Sequence, residues 1–262
     1  MKALLLVALF LIPVPLAAMD TVPGAQDMAL ISEADVVIVG ETHDNPAHHA
    51  VQAQIVAALA APALVVEMLT QDEATDLAAD PQSYAAAWED AGWPDYEMYR
   101  PIFTASDARI FGAAVPREVA RATYTDGVAA HFDGDLAAFG LDHPLPDDEQ
   151  ALRLDLQFAA HCETMPRDMM GGMIEVQRLR DATLAKVTLG AIDATGGPVV
   201  IITGNGHARS DWGVPAYLRR LRPDLKVVTI GQAEDGQAPE GGFDLLYDAP
   251  SVERPDPCAS LK

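Results

Sequence analysis

The sequence is short of positive charge. Its 262 residues include 17 Lys and Arg but 39 Asp and Glu, which gives a formal net charge of −22. This balance argues against nucleic-acid binding, because phosphate backbones are bound by clusters of Lys and Arg. It also disfavours docking on anionic lipid. A small ligand or a protein partner therefore fits the composition better than a nucleic acid does.

Several sequence signatures are missing as well. The chain has no internal repeat, no G-x-x-x-x-G-K-[ST] loop and no G-x-G-x-x-G run, which argues against nucleotide binding. It also lacks the G-x-S-x-G elbow of an ordinary α/β hydrolase. Half of the residues are apolar, so a shortage of material for a core is excluded.

A long apolar run occurs only at the start of the chain. Residues 1–18 read MKALLLVALFLIPVPLAA, with one Lys before the run, two prolines inside it and small residues at its end. This pattern is typical of a secretory signal peptide, and the run is too short and interrupted for a membrane span. A buried N-terminal helix is the alternative. The first interpretation predicts a protein that starts near Met19 and is periplasmic or secreted.

Cysteine is scarce. The chain has only Cys162 and Cys258. In an exported protein two cysteines favour one disulfide, but two free thiols are the alternative, because a sequence contains no distances. A bond would tie the Pro-rich tail at 251–262, which we expect to be extended, to the helical region before it.

Short apolar runs bounded by turn residues predict buried strands. They are apolar throughout rather than alternating, as in strands covered on both faces. Helical patterns separate them, which predicts an α/β fold with an open, mainly parallel sheet flanked by helices. The predicted strands cover 35–40, 63–67, 109–114, 199–203 and 227–230, with 243–247 as a further edge strand. We expect one domain over 19–250, in which helical insertions at about 70–100 and 136–194 form a cap subdomain.

Polar residues follow three of these strands. Glu41 and His43 come after the first strand, Glu67 ends the second, and His207 follows the fourth. Ligands of open parallel sheets bind at the carboxyl ends of the strands, so we expect all four side chains to meet on one rim. Histidines with carboxylates can hold a divalent metal ion and activate water. These four residues are therefore the predicted metal ligands and, in a hydrolase, the predicted catalytic residues.

The same motifs carry a family resemblance. GETHDNPAHH, the strand that ends in Glu67-Met68, and ITGNGHAR resemble the ChaN-like haem-binding uptake family, which is related to the Tiki and erythromycin-esterase groups. The resemblance implies an exported α/β protein with a helical subdomain that binds haem for iron uptake. It also implies a homodimer with haem at its interface and an outer-membrane receptor or uptake system as partner. The chain lacks the lipobox cysteine of the lipoprotein members.

The resemblance further implies a tyrosine ligand to the haem iron. Tyr99 and Tyr96 are the candidates, Trp93 offers a flat apolar face, and Arg100 and Arg209 would meet the propionates. A packed aromatic cluster is the alternative for the tyrosines. Two functions thus stay open: an exported haem-binding protein linked to haem and iron uptake, and a metal-dependent hydrolase of peptide or ester bonds.

Overall fold

The sheet has six parallel strands in the order β3-β2-β4-β1-β5-β6. The computed structural model describes residues 19–256 together with 258 and 259, so the predicted signal peptide lies outside the described residues. Each apolar run forms a strand, which confirms the predicted α/β fold. The strands are β1 (Val36–Val39), β2 (Ala63–Val66), β3 (Arg109–Gly112), β4 (Val199–Ile202), β5 (Val227–Glu234) and β6 (Leu245–Ala249).

Helices connect and cover the strands. Local sequence explains where two of them begin: Asn45 caps one helix ahead of Pro46, and Thr70 and Glu73 form a capping box on the next. No helix among the described residues is long and apolar enough to cross a membrane. The α-helices are α1 (Ala25–Ser32), α2 (Pro46–Leu59), α3 (Gln71–Ala79), α4 (Ala85–Asp90), α5 (Tyr96–Phe103), α6 (Arg117–Asp126), α7 (Leu136–Phe139), α8 (Asp147–Ala160), α9 (Met170–Thr195), α10 (Asn205–Ala208) and α11 (Val214–Leu221).

Two apolar cores lie on opposite faces of the sheet. Successive strand residues point to opposite faces, so Val37 and Val39 join one core while Val36 and Ile38 join the other. Helices α2, α3 and α5 contribute to the first core. Helix α9 lies on the second face against β2 and β4, and α6, α8 and α11 pack against it. Burial on both faces accounts for the uniformly apolar strands.

The tail after β6 is fixed at two points. Arg254 forms ion pairs with Asp44 and Glu234, which lie at the carboxyl ends of β1 and β5. Farther along, Cys258 is bonded to Cys162, with 5.5 Å between their Cα atoms. The predicted disulfide is therefore confirmed, and the alternative of two free thiols is wrong.

We expect Gly112→Ala to destabilise the fold strongly. A Cβ atom on Gly112 would lie 2.0 Å from the backbone oxygen of Thr70, and backbone atoms cannot rotate away. The loss in free energy of unfolding should be at least about 2 kcal/mol. The control is Gly190→Ala inside α9, where a Cβ meets nothing within 4 Å and should stabilise by up to about 1 kcal/mol. Urea unfolding measures both, and equal effects would contradict the close approach.

Candidate functional site

Sheet order brings the predicted polar residues together. Strand β4 lies between β2 and β1, so the segments that follow these three strands are neighbours. Nδ1 of His43 lies 2.6 Å from Oε1 of Glu41, and Nε2 of His207 lies 3.3 Å from Oε1 of Glu67. A methyl group on Gly204 would lie only 3.2 Å from Nε2 of His43 and 3.8 Å from Oε2 of Glu67. Glycine at this position thus allows the two pairs to approach each other.

The first pair is anchored by a buried tyrosine. The hydroxyl of Tyr99 donates to Oε1 of Glu41 at 2.6 Å, and the same oxygen accepts the Nδ1 proton of His43. Glu41 has no exposed side-chain surface, whereas the side chain of His43 is 34% exposed. Burial alone would lower the pKa of His43, but the hydrogen bond to Glu41 and the charges of Glu41 and Glu67 raise it above its ordinary 6.5. His43 is therefore held in a fixed tautomer when neutral, with Nε2 free.

The second pair extends into a buried triad. Oε2 of Glu67 accepts hydrogen bonds from the hydroxyl of Thr203 at 2.6 Å and from the backbone N–H of Gly204 at 2.8 Å. On its other side His207 donates from Nδ1 to Asp181 at 2.6 Å. Burial disfavours an imidazolium, but the charges of Glu67 and Asp181 outweigh this effect and raise the pKa of His207 well above 6.5. His207 is thus a fixed cation between two carboxylates.

These contacts bear on the predicted metal site. Within residues 19–256, 258 and 259, no group of three or more His, Cys, Asp or Glu side chains is arranged to hold a metal ion. The reason is that the polar atoms of these side chains already form hydrogen bonds and ion pairs with one another. Both ring nitrogens of His207 face carboxylates, and Glu67 already accepts two further hydrogen bonds. The four residues meet as hydrogen-bonded pairs rather than around a common empty point.

A cleft opens beside the free face of His43. One part, of about 260 Å³, is lined by His43, Glu67, Trp93 and Arg180. Trp93 and Arg180 also line an adjoining part of about 570 Å³, to which Arg117 contributes. The ring centroids of His43 and Trp93 are 5.2 Å apart. Small-molecule sites commonly measure roughly 300–1,000 Å³, so the cleft has the size of a ligand site.

The two candidate tyrosines do not face this cleft. Tyr96 and Tyr99 have no exposed surface and pack with Trp88 and Phe103. The hydroxyl of Tyr96 donates to the backbone oxygen of Pro81 at 2.6 Å, and burial raises the pKa of Tyr96 to about 12. Burial and the charge of Glu41 raise the pKa of Tyr99 still further. The tyrosines of α5 therefore belong to a packed aromatic cluster, which was the alternative interpretation. Neither tyrosine presents an ionised hydroxyl to the cleft.

The candidate arginines also lie elsewhere. Arg100 is paired with Glu97 on the surface of α5. Arg209 binds Asp211 at 2.6 Å, stacks 3.8 Å above the ring of Trp212 and lines a different cavity. Of the five predicted cofactor contacts, only Trp93 lies at the cleft. For the tyrosines and Arg100, nearness to Trp93 in sequence did not indicate which way the side chains of α5 point.

Sequence reasoning missed two residues of α9. Asp181 completes the buried triad, and Arg180 brings a positive charge to both parts of the cleft. Neither follows a strand, so the strand-end rule could not select them. One signal was available: Asp181 stands next to Ala182 and close to Leu184 on the buried face of the helix, where an unpaired carboxylate would be costly.

Fold and site together define an α/β protein with a cleft of ligand size at the strand ends, bordered by paired histidines and carboxylates. Its family follows from sequence: the model described as "Haem-binding uptake, Tiki superfamily, ChaN" matches residues 28–218. The match covers well over half of the chain. The chain therefore belongs to this haem-binding uptake family, as the motifs indicated.

Solved structures show the same fold. A structure entitled "Cofacial heme binding to ChaN of Campylobacter jejuni" is 17% identical, with a TM-score of 0.65 over 84% of this chain and 89% of that one. The type III effector HopBA1 is 10% identical, with a TM-score of 0.50 over 90% of this chain and 98% of that one. No curated protein sequence matches the chain significantly.

We expect Asp181→Asn to lower the pKa of His207, because the change removes one of two buried negative charges. Nitrogen NMR at pH 7 should show both ring nitrogens of His207 protonated in the unaltered protein. In the variant the imidazolium should lose its proton at lower pH. The control is Asp126→Asn, which removes an exposed carboxylate 3.0 Å from His131. It should leave His207 unchanged.

The same pairing has a consequence for stability. A raised pKa contributes stability that is complete below 6.5 and is lost as pH rises through the raised value. The free energy of unfolding should therefore fall in mildly alkaline solution, and the fall should be smaller in Asp181→Asn. Equal pH profiles for the two proteins would contradict the assignment.

Proposed function

We propose that the protein binds haem in the cleft, with Nε2 of His43 as the iron ligand. The observation that carries the proposal is the arrangement of His43: Nδ1 is held by buried Glu41 while the ring faces the cleft. Family membership supports haem as the ligand, and the similar Campylobacter jejuni protein is described as binding haem cofacially.

The surroundings of His43 suit a metal-bound imidazole. Histidine ligands usually donate their other ring N–H to a carboxylate or carbonyl, which fixes the ring and increases its basicity. Glu41 supplies this carboxylate at 2.6 Å, and Tyr99 holds the carboxylate in place. Tyr99 is thus a positioning residue for His43 rather than an iron ligand. Histidine is an established axial ligand of haem iron.

The rest of the cleft provides for the porphyrin. Trp93 offers an aromatic face beside His43. A protein with a net charge of −22 repels propionates at long range, so a local cation is needed to bind them. Arg180 and Arg117 line the cleft and can supply forked donors to carboxylates. These two arginines replace Arg100 and Arg209 in our proposal.

We place this binding outside the cytoplasm. The signal-peptide pattern of residues 1–18 supports export to the periplasm or the medium. In this setting the protein would take up haem and pass it to an uptake system for iron acquisition. We also propose a homodimer: the similar structure is described as binding haem cofacially, and two chains that each hold one haem could bring the two haem planes face to face.

A hydrolase of peptide or ester bonds is the second candidate. The same free Nε2 of His43, with Nδ1 on Glu41, is the geometry of a general base. Fixed His207 could stabilise negative charge nearby. In this function Glu41, His43, Glu67 and His207 would be the catalytic set, and His43 would act on water without relying on a divalent metal ion.

We expect His43→Ala to weaken hemin binding most. Titration of the unaltered protein should show one hemin per chain with the absorption spectrum of a histidine-ligated haem. His43→Ala should lose this spectrum, and Tyr99→Phe should weaken binding by about 10- to 100-fold, as supporting residues of metal ligands do. Tyr96→Phe is the matched control, because its hydroxyl binds only the oxygen of Pro81.

The outcome distinguishes the candidates. Binding of hemin by His43→Ala as strong as in the unaltered protein would contradict His43 as ligand. Hydrolysis of aryl esters that depends on His43 and persists with a chelator, without hemin binding, would favour the hydrolase.

Hemin affinity should also depend on pH. Iron and a proton compete for Nε2 of His43, and the pKa of His43 is raised above 6.5. Affinity should therefore increase as pH rises through this raised pKa, level off above it, and fall at acidic pH. A titration series across neutral pH measures this, and in His43→Ala the dependence should disappear.

A further inference from the structure

We propose that a small cavity beside His207 binds a short-chain carboxylate anion. The cavity holds about 110 Å³ and is lined by Arg153, Arg209, Trp212, Gly206 and Gln177 together with other α8 and α9 residues. Gly206 precedes His207, and the Gln177 amide lies 3.3 Å from its Nδ1. None of these lining residues belongs to the haem cleft.

Charge is distributed unevenly around this cavity. Two arginines line it and none of its lining residues is acidic. The carboxylates that pair with these arginines, Glu149 and Asp211, line a neighbouring cavity of about 270 Å³ instead. Trp212 and Arg153 border both cavities. The smaller cavity is thus on the cationic side of the two ion pairs.

Arg153 is incompletely satisfied. Its residue exposure is 6%, and both Nε and Nη2 donate to one oxygen of Glu149. Nη1 is buried and has no hydrogen-bond partner among the described residues. A buried charged donor without an acceptor is costly, so an oxyanion that reaches it would relieve that cost. Arg153 lines the cavity, so an anion bound there lies beside this guanidinium.

Trp212 keeps the two guanidinium groups in place. Arg209 lies 3.8 Å from the centre of its ring and Arg153 lies 4.9 Å from it. Such contacts favour a positive charge at the aromatic face. The cationic wall is therefore built into the fold and does not need a ligand in order to form.

A second donor comes from Gln177. His207 gives its Nδ1 proton to Asp181, so that nitrogen has no lone pair to accept from the amide of Gln177. The amide oxygen, rather than the nitrogen, is the better neighbour for this ring atom. Assigned this way, the NH₂ group of Gln177 turns away from His207 and is free to donate to an anion.

Size and the apolar walls select the class of anion. Leu156 and Ile174 add hydrocarbon to the lining, and Gln157 adds one further uncharged polar side chain. A space of about 110 Å³ takes only a few heavy atoms, and an alkyl group on a carboxylate would contact these walls. Inorganic phosphate offers the same oxyanion chemistry but leaves them without an apolar partner. The cavity therefore fits a carboxylate such as propionate better.

Isothermal titration calorimetry with propionate tests the proposal, at ionic strength held constant with chloride. The unaltered protein should bind one propionate per chain. Arg153→Gln should weaken this binding at least about tenfold, the usual effect of losing a charge-assisted hydrogen bond. The matched control is Arg222→Gln, which makes the same charge change at an exposed ion pair with Asp224 and should bind like the unaltered protein.

A second variant covers loss of folding, because Arg153→Gln also leaves Glu149 unpaired. Leu156→Trp fills the cavity without changing charge, and it should abolish propionate binding while circular dichroism and hemin titration stay unchanged. No propionate binding by the unaltered protein, binding of phosphate in place of propionate, or equal binding by Leu156→Trp would each overturn the proposal. Hemin binding is measured separately, so failure here leaves the proposed function intact.

Discussion

The site depends on the pairing of charged side chains that are buried at the carboxyl ends of the strands. Glu67 directly follows β2, which lies between β3 and β4, and an isolated carboxylate buried at this point would be strongly unfavourable. His207 lies between Glu67 and Asp181, with Nε2 facing the first carboxylate and Nδ1 facing the second. Because Glu67 directly follows β2 while His207 and Asp181 belong to α10 and α9, their pairing also holds the long helix α9 against the strand ends. Glu67 lines the cleft, so the triad connects the wall of the cleft to α9.

The two histidines of the rim have different electrostatic roles. His207 keeps its proton across neutral pH because two buried carboxylates surround it. His43 is partly exposed and has one carboxylate, so it alone can exchange its proton or accept a metal at the cleft. The same pattern, Gly, then Glu or Asn, then one further residue and then His, thus leads to a reactive group after β1 and a structural cation after β4. The difference comes from burial, which no motif contains.

The strands and the meeting of the polar residues could be predicted, because both follow from local patterns and a general rule for parallel sheets. The roles of Tyr99 and Arg100 could not. They are neighbours in sequence, but α5 turns one into the core against Glu41 and leaves the other on the surface with Glu97. The contribution of α9 was also hidden, since Asp181 lies 140 residues from Glu41 and approaches the site only through packing. The sequence thus indicated which residue types form the site, but not which way the side chains of α5 point or which distant residues pack against the strand ends.

The disulfide gives the chain a closed covalent ring. Cys162 and Cys258 are 96 positions apart, and the ring between them contains α9, β4, β5 and β6. Asp181 and His207 belong to the ring, whereas Glu41, His43 and Glu67 precede it. A protease that cuts one peptide bond inside the ring therefore releases no fragment, and the two pieces stay joined until a reductant is added. A cut before Cys162 has no such protection, so the half of the site that carries His43 is then held to the other half by non-covalent contacts alone, among them strand pairing, core packing and the pairs Glu67–His207 and Asp44–Arg254.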